Sequence, residues 1–346
     1  MKKKILVFKN DRLGDLVHGY SAINNLILNN PDKEIIIFLS KLSKDFFFLF
    51  EAKNTRLQIL NYHLTLFEKI KIFFFILNQN IQEIYIFSFK NFYFLLPPFF
   101  KRIKFFAVCM NGVNNYRRPN LFLRKFLYKF LINDRETTKK RLSAHLLQYL
   151  LTSNDKNLKK NSEFISHIPK SDALIKYLPK DYFFIFYKKR FFDKLCWEIS
   201  EFHLLINEIT KYQKNVVLVK DIEIDVNNAL FKKKYKTYDF KTKSFHNNEG
   251  NILFLDNIEG KDLLNVIKLS KKVISPHGTM TSLAFLCKRP VLDLFYCKID
   301  SSKDYYGHKN AFHEFKPNYQ GYDFIIPRND INKTLRKIKF SLIKDI

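Results

Sequence analysis

The sequence predicts an α/β fold of two domains, each a parallel sheet covered on both faces by helices. Two observations predict it. Short apolar runs rich in β-branched and aromatic residues alternate with segments of helical period, the pattern of successive βαβ units. These runs form two series, separated by a polar stretch from Thr152 to Glu163 and then by Pro169 and Pro179. A chain of 346 residues is long enough for each series to build its own core.

In the first series the expected strands are Ile5–Phe8, Glu34–Leu39, Leu57–Leu60, Glu83–Phe87 and Ile103–Val108. The first is followed by a polar turn and a helix that opens at Gly14-Asp15 and runs through Ala22 and Leu26. Leu121–Ile132 carries a helical pattern whose only charges are Arg124, Lys125 and Lys129. The second series is Tyr182–Tyr187, Asn215–Val219, Ile252–Leu255, Lys272–Ser275 and Val291–Phe295, with a terminal helix from about Asp330 to Ile343. The expected division is residues 1–165, 166–328 and a helical tail 329–346.

Two turns carry the chemistry. The layout at Gly14-Asp15 sets a carboxylate on the first turn of a helix at the carboxyl end of a strand, where open α/β sheets bind ligands. His18 lies three residues on, along the same helical face. A bland reading stays open, in which Asp15 only caps the helix N-terminus. The second turn lies in Val273-Ile-Ser-Pro-His-Gly-Thr-Met-Thr-Ser-Leu-Ala, read as strand, small-residue turn and helix. His277 leads into it, and Gly278, Thr279, Thr281 and Ser282 are small enough for a diphosphate to approach the N–H groups of the helix N-terminus. Only eight glycines occur in the chain, and two of them mark these two turns.

Together these segments resemble the bacterial family 9 glycosyltransferases, the heptosyltransferases of the lipopolysaccharide inner core. Arg12-Leu13-Gly14-Asp15 with His18 matches the family's opening motif, and Leu283-Ala284 with Pro290 keeps the frame of its donor segment. His277-Gly278-Thr279 departs from the Asp-Thr-Gly usual there. The resemblance implies the GT-B architecture, two Rossmann-like domains facing across a cleft, with the acceptor on the first domain and the nucleotide sugar on the second. It implies Asp15 as catalytic base with His18 beside it, and Arg12 and Gly14 near the acceptor. It also implies that the terminal helix crosses back to brace the first domain. The family's donor loop carries a Lys shortly before a Trp. Lys194 and Trp197, the only tryptophan, resemble that pair, with Lys189 and Arg190 as substitutes if the loop is shifted. A solvated basic loop is the plain alternative.

Composition sets bounds on this reading. Sixty Lys and Arg against 33 Asp and Glu give a formal charge of +27, which favours phosphate-bearing partners. No standard nucleic-acid module is visible, so no nucleic-acid partner is expected. The four cysteines are scattered without ligand spacing, and neither a metal site nor a cofactor is expected. Met1-Lys-Lys-Lys leads directly into a short strand, and the Phe-rich segment 92–110 is broken by Pro97-Pro98 and by Lys101, Arg102 and Lys104. Neither a signal peptide nor a membrane span is expected, which places the protein in the cytoplasm.

The segment from Lys101 to Leu142 is strongly basic, with Asp134 and Glu136 its only acids. Arg117-Arg118 lies in an Asn- and Gly-containing loop suited to gripping acceptor phosphates. The Leu121–Ile132 helix either lies on an anionic membrane or packs on the core with one basic stripe. The reading reached is an inverting, metal-independent transfer of a sugar, by resemblance heptose from ADP-heptose, to a phosphorylated, lipid-linked oligosaccharide at the cytoplasmic face of the inner membrane. Two alternatives stand beside it: a GT-B transferase that uses another nucleotide sugar for a surface polysaccharide, and a non-catalytic basic binding protein.

Overall fold

A computed structural model of the chain describes residues 2–110, 123–133, 144–153, 165, 176–221, 228–246, 250–258, 260–296, 321–327 and 329–343. The described residues up to Ser153 form one compact unit, and those from Ile165 onward form a second.

In the first unit six parallel strands are β1 (Lys4–Lys9), β2 (Glu34–Ser40), β3 (Thr55–Leu60), β4 (Ile81–Ile86), β5 (Lys104–Met110) and β6 (Lys129–Asn133), in the spatial order β3-β2-β1-β4-β5-β6. The central strands are unbroken apolar runs because helices cover both faces of the sheet. Ile5, Leu6, Val7 and Phe8 of β1 and Ile35, Ile36 and Ile37 of β2 are wholly buried. Each such side chain contributes about 1.5–3 kcal/mol relative to exposure. Sequence order reverses between β1 and β4, so the crevice beyond their carboxyl ends is where such a sheet binds ligands.

The second unit holds β7 (Phe183–Tyr187), β8 (Val216–Lys220), β9 (Lys236–Asp239), β10 (Ser244–His246), β11 (Ile252–Asp256), β12 (Lys272–Pro276), β13 (Val291–Leu294) and β14 (Tyr322–Ile325). Their order is β10-β9-β11-β8-β7-β12-β13-β14, parallel except for the β9–β10 pair. Here the switch point falls between β7 and β12. An aromatic core of Tyr187, Phe192, Trp197, Phe202 and Phe231 lies beneath it.

The expected fold class is the one observed, and two elements differ from expectation. Beyond Leu123 the predicted Leu121–Ile132 helix is not an α-helix over its described residues. Arg124–Phe126 makes a single 3-10 turn, and Lys129–Asn133 pairs in parallel with β5, Phe106 opposite Lys129 through Met110 opposite Asn133. An apolar run this short fits either period, and the backbone groups along the open edge of β5 decide for the strand. The terminal helix Ile331–Ile343, expected to brace the first domain, sets Ile338 and Leu342 into the core of the second unit. Trp197 anchors its start, donating Nε1–H to the Asn329 carbonyl at 3.1 Å.

Candidate functional site

Each unit presents a cluster of polar residues at its switch point. In the first, β1 ends in Lys9, fully buried, whose Nζ lies 3.1 Å from the Asp11 carboxylate and 3.3 Å from the Phe87 carbonyl beyond β4. Gly19 makes room for this lysine, since a Cβ there would stand 2.6 Å from Lys9 Cε. The turn itself is pinned from three sides. Tyr93 donates its hydroxyl to Asn10 Oδ1 at 2.7 Å, Asn10 Nδ2 donates to the Asn61 carbonyl at 3.0 Å, and Lys90 Nζ donates to the Asn10 carbonyl. The Arg12 guanidinium and the Lys90 ammonium both lie over the Tyr62 ring, at 5.3 and 4.6 Å. Burial brings the Lys90 ammonium down to about 8, against the opposing pull of Asp11.

On this base stands the helix Leu13–His18, with Asp15 in its first turn. The N-cap position is taken by Arg12, and Asp15 is the acid of the first helical turn. The Asp15 side chain is about half exposed, yet the protein crowded around it removes enough hydration to raise its carboxyl above the usual range. Lys9, Arg12 and Lys90 oppose the shift, and Asp11 adds to it.

One partner of Asp15 comes from far along the chain. His145, on the helix Ala144–Thr152, places Nε2 at 3.9 Å from Asp15 Oδ1 and stacks on His18, ring centroids 5.1 Å apart at 14°. Burial, and then the charges of Lys9 and His18, push the His145 imidazole well below its ordinary value. It is therefore neutral near pH 7, and its contact with Asp15 is not an ion pair. Gln148 Nε2 donates to the Phe87 carbonyl at 2.9 Å, which turns Gln148 Oε1 toward His145 Nδ1 at 3.4 Å. These contacts orient the ring with its Nε2 edge on the side of Asp15. Nothing in the spacing of the sequence brings His145 to Asp15. Arg117 and Arg118 lie outside the described residues.

In the second unit, Lys189–Lys194 forms a short helix directly after β7. Lys189 pairs with Asp193 at 2.7 Å, whereas Arg190 and Lys194 are exposed, Lys194 Nζ lying 5.7 Å from the centre of the Tyr296 ring. Trp197 is buried and stacks on Phe192, so its role is to anchor this loop.

After β12 the chain turns through His277 and Gly278 into the helix Thr279–Leu286. Gly278 holds φ 146° and ψ −142°, a conformation essentially confined to glycine, and a Cβ there would meet nothing within 4 Å. Thr279 is partly exposed, but Thr281 and Ser282 are buried. Thr281 directs its hydroxyl to Asp293 Oδ1 at 3.4 Å and Ser282 directs its own to the Gly278 carbonyl at 3.3 Å, so both hold the turn from inside.

Asp293, wholly buried on β13, organises the turn. It accepts from His277 Nδ1 at 2.6 Å and from the Tyr322 hydroxyl at 2.6 Å. The imidazole is thereby fixed with Nε2 on its far side, away from Asp293. Asp293 and Tyr322 were not among the expected site residues. A lone acid inside the apolar strand Val-Leu-Asp-Leu was the available signal.

No protein-family model matches this chain, and no curated protein matches it in sequence. Solved structures do match. An ADP-heptose lipopolysaccharide heptosyltransferase II from E. coli superposes with a TM-score of 0.63 at 12% identity, covering 100% of this chain and 99% of its own. The fold is that of the family 9 glycosyltransferases. A glycosyltransferase family 9 protein from Veillonella parvula gives 0.63 at 10% identity, over 97% of this chain and 89% of its own. The E. coli heptosyltransferase WaaC with ADP-2-deoxy-2-fluoro heptose gives 0.61 at 10% identity, over 99% and 100%. The two sheets of this chain thus have the fold of these solved structures.

Proposed function

We propose that this protein is a GT-B glycosyltransferase that moves a sugar from a nucleotide donor to an acceptor hydroxyl in a single, inverting displacement. The observation that carries the reading is Asp15. It is a half-exposed carboxylate, made more basic than usual, at the switch point of a sheet that has the heptosyltransferase fold. In the reaction Asp15 takes the hydroxyl proton as the oxygen attacks the anomeric carbon. The bond from that carbon to the diphosphate breaks as the new one forms. His145, beside Asp15 and stacked on His18, positions the carboxylate for this step. In the second unit Lys194, Arg190 and the helix N-terminus behind Gly278 receive the leaving diphosphate.

The donor is ADP-heptose and the acceptor a phosphorylated, lipid-linked core oligosaccharide. The heptose neighbours support this choice, as does the charge of +27. A second reading, another nucleotide sugar on the same fold, draws on His277, since an imidazole held by Asp293 offers the donor different hydrogen bonding from a carboxylate. Thermal shift against a panel of nucleotide sugars separates the two, because a ligand at a hundred times its dissociation constant adds about 2.7 kcal/mol of stability. Stabilisation by ADP-heptose is expected. Stabilisation only by a UDP-, GDP- or CMP-sugar overturns the donor assignment.

With the stabilising donor, Asp15→Asn should lower turnover on the order of a hundredfold or more while donor binding persists. Near-normal turnover in that variant removes Asp15 from the base role.

A further inference from the structure

The helix Leu66–Asn78 is apolar on every side, with only Glu68, Lys69, Lys71 and Asn78 polar among its thirteen residues. Its inner face is accounted for, with Ile72 and Ile76 buried and Phe73 and Phe75 packed against the core of the first unit. The outer face is a stripe at helical spacing, Leu66, Ile70, Phe74 and Leu77, with Phe67 beside it. These side chains are 73%, 47%, 55%, 54% and 72% exposed respectively. Phe99, 70% exposed, continues the stripe, its ring 5.8 Å from that of Phe73. A soluble helix hydrophobic all round is ordinarily buried, and a contiguous exposed patch of this kind marks an interaction surface.

Charge identifies what covers it. Lys69 and Lys71 lie on the helix, and Lys101, Arg102 and Lys104 follow Phe99 in an exposed turn and strand start. The helix's single acid, Glu68, is engaged in the capping box with Thr65 and also accepts from the Asn61 amide at 2.8 Å. A second copy of this chain would bring identical basic residues and another +27 against the patch. An anionic bilayer offers hydrocarbon to the phenylalanines and phosphate to the lysines and arginine. Thirteen residues span roughly 20 Å, less than a bilayer core, and no described helix is long and apolar enough to cross a membrane. The helix therefore lies in the plane of the interface.

We propose that the outer face of Leu66–Asn78, extended by Phe99, seats the first unit on the surface of an anionic lipid bilayer. The inference deepens the lipid-linked acceptor of the proposed function, but it stands on this surface alone. It takes the place of the membrane alternative held open for Leu121–Ile132, part of which is strand β6.

The test is flotation of the full-length protein with phosphatidylcholine vesicles, with and without phosphatidylglycerol. Wild-type protein should float with the anionic vesicles only. The Phe67→Ser/Phe74→Ser variant should bind about tenfold or more weakly, and its melting temperature should be unchanged because both rings are exposed. Lys71→Gln/Lys101→Gln/Arg102→Gln should weaken binding and flatten its salt dependence. Equal flotation of wild type and the Ser variant, or no flotation of wild type, overturns the proposal. So does a wild-type dimer that the Ser variant converts to monomer without a change in vesicle binding. If flotation depends on the helix while no sugar is transferred to any acceptor, the transferase reading fails and the docking surface stands.

Discussion

Asp15 and His145 make the finest-grained claim. If His145 positions Asp15, then His145→Asn, which removes the stacked ring, should cut kcat about tenfold or more and leave KM for the donor unchanged. A purely structural His145 would lose stability and donor affinity together. The pH profile gives the signed test. Asp15 is raised, so activity should fall as pH drops through a midpoint above that of an ordinary carboxyl. The Lys90 charge lowers that midpoint, so Lys90→Met should move the acid limb of kcat/KM upward. A limb that stays in place excludes Lys90 from the electrostatics of the base. Asp15 could be singled out in the sequence only because the Gly-Asp turn after an apolar strand is joined by a second small-residue turn at Gly278. His145 could not be, because its neighbours on the helix, Leu147 and Leu151, read as ordinary core. Only the tertiary fold carries it to Asp15.

Elements depend on single side chains at their junctions. Gly19 joins the helices Leu13–His18 and Tyr20–Asn29 with φ −79°, which alanine accepts without strain. On backbone entropy alone Gly19→Ala would stabilise by about 0.4–1 kcal/mol. The clash with Lys9 Cε decides the sign, because Lys9 is buried and tied to Asp11 and Phe87. Overpacking of this kind costs typically about 1–3 kcal/mol. Gly19→Ala should therefore lower the melting temperature by several degrees and, by displacing the turn below Asp15, lower kcat. A variant as stable as wild type would show that Lys9 relocates freely. At this scale the sequence was a good guide wherever a strand is central, as with β1, β2 and β7, since burial on both faces demands a mostly apolar run. It was a poor guide for four strands at or beside an edge. β6, β9, β10 and β14 are short or carry polar residues at alternate positions, and their partners rather than their composition make them strands.

Taken whole, a chain with +27 should adhere to any polyanion. If nucleic acid were the true partner, binding would persist at physiological salt and recognise particular sequences or structures. If the charge serves phosphates of a donor, an acceptor and a bilayer, DNA binding should fall steeply and linearly with log salt concentration. ADP binding in the second unit should change far less over the same range, because it also draws on the turn at Gly278. Filter binding of a DNA duplex beside calorimetry with ADP, across a salt series with and without EDTA, reads this out. DNA affinity insensitive to salt would revive the non-catalytic binding protein, and ADP binding lost to EDTA would end the metal-independent mechanism. In the same titration Lys194→Ala should weaken ADP by about 1.5–3 kcal/mol.

The backbone of Gly278 has a genetic consequence. Every missense change in a glycine codon installs a Cβ, and at φ 146° each product is strained by on the order of 1–3 kcal/mol. Domains of this kind are stable by about 5–15 kcal/mol, and no neighbouring atom would meet the new Cβ. Substituted protein should therefore accumulate at nearly normal abundance while its His277 turn is displaced. In a saturation-mutagenesis map codon 278 should stand out as a position where selection removes all nineteen alternatives, although immunoblots find the protein present.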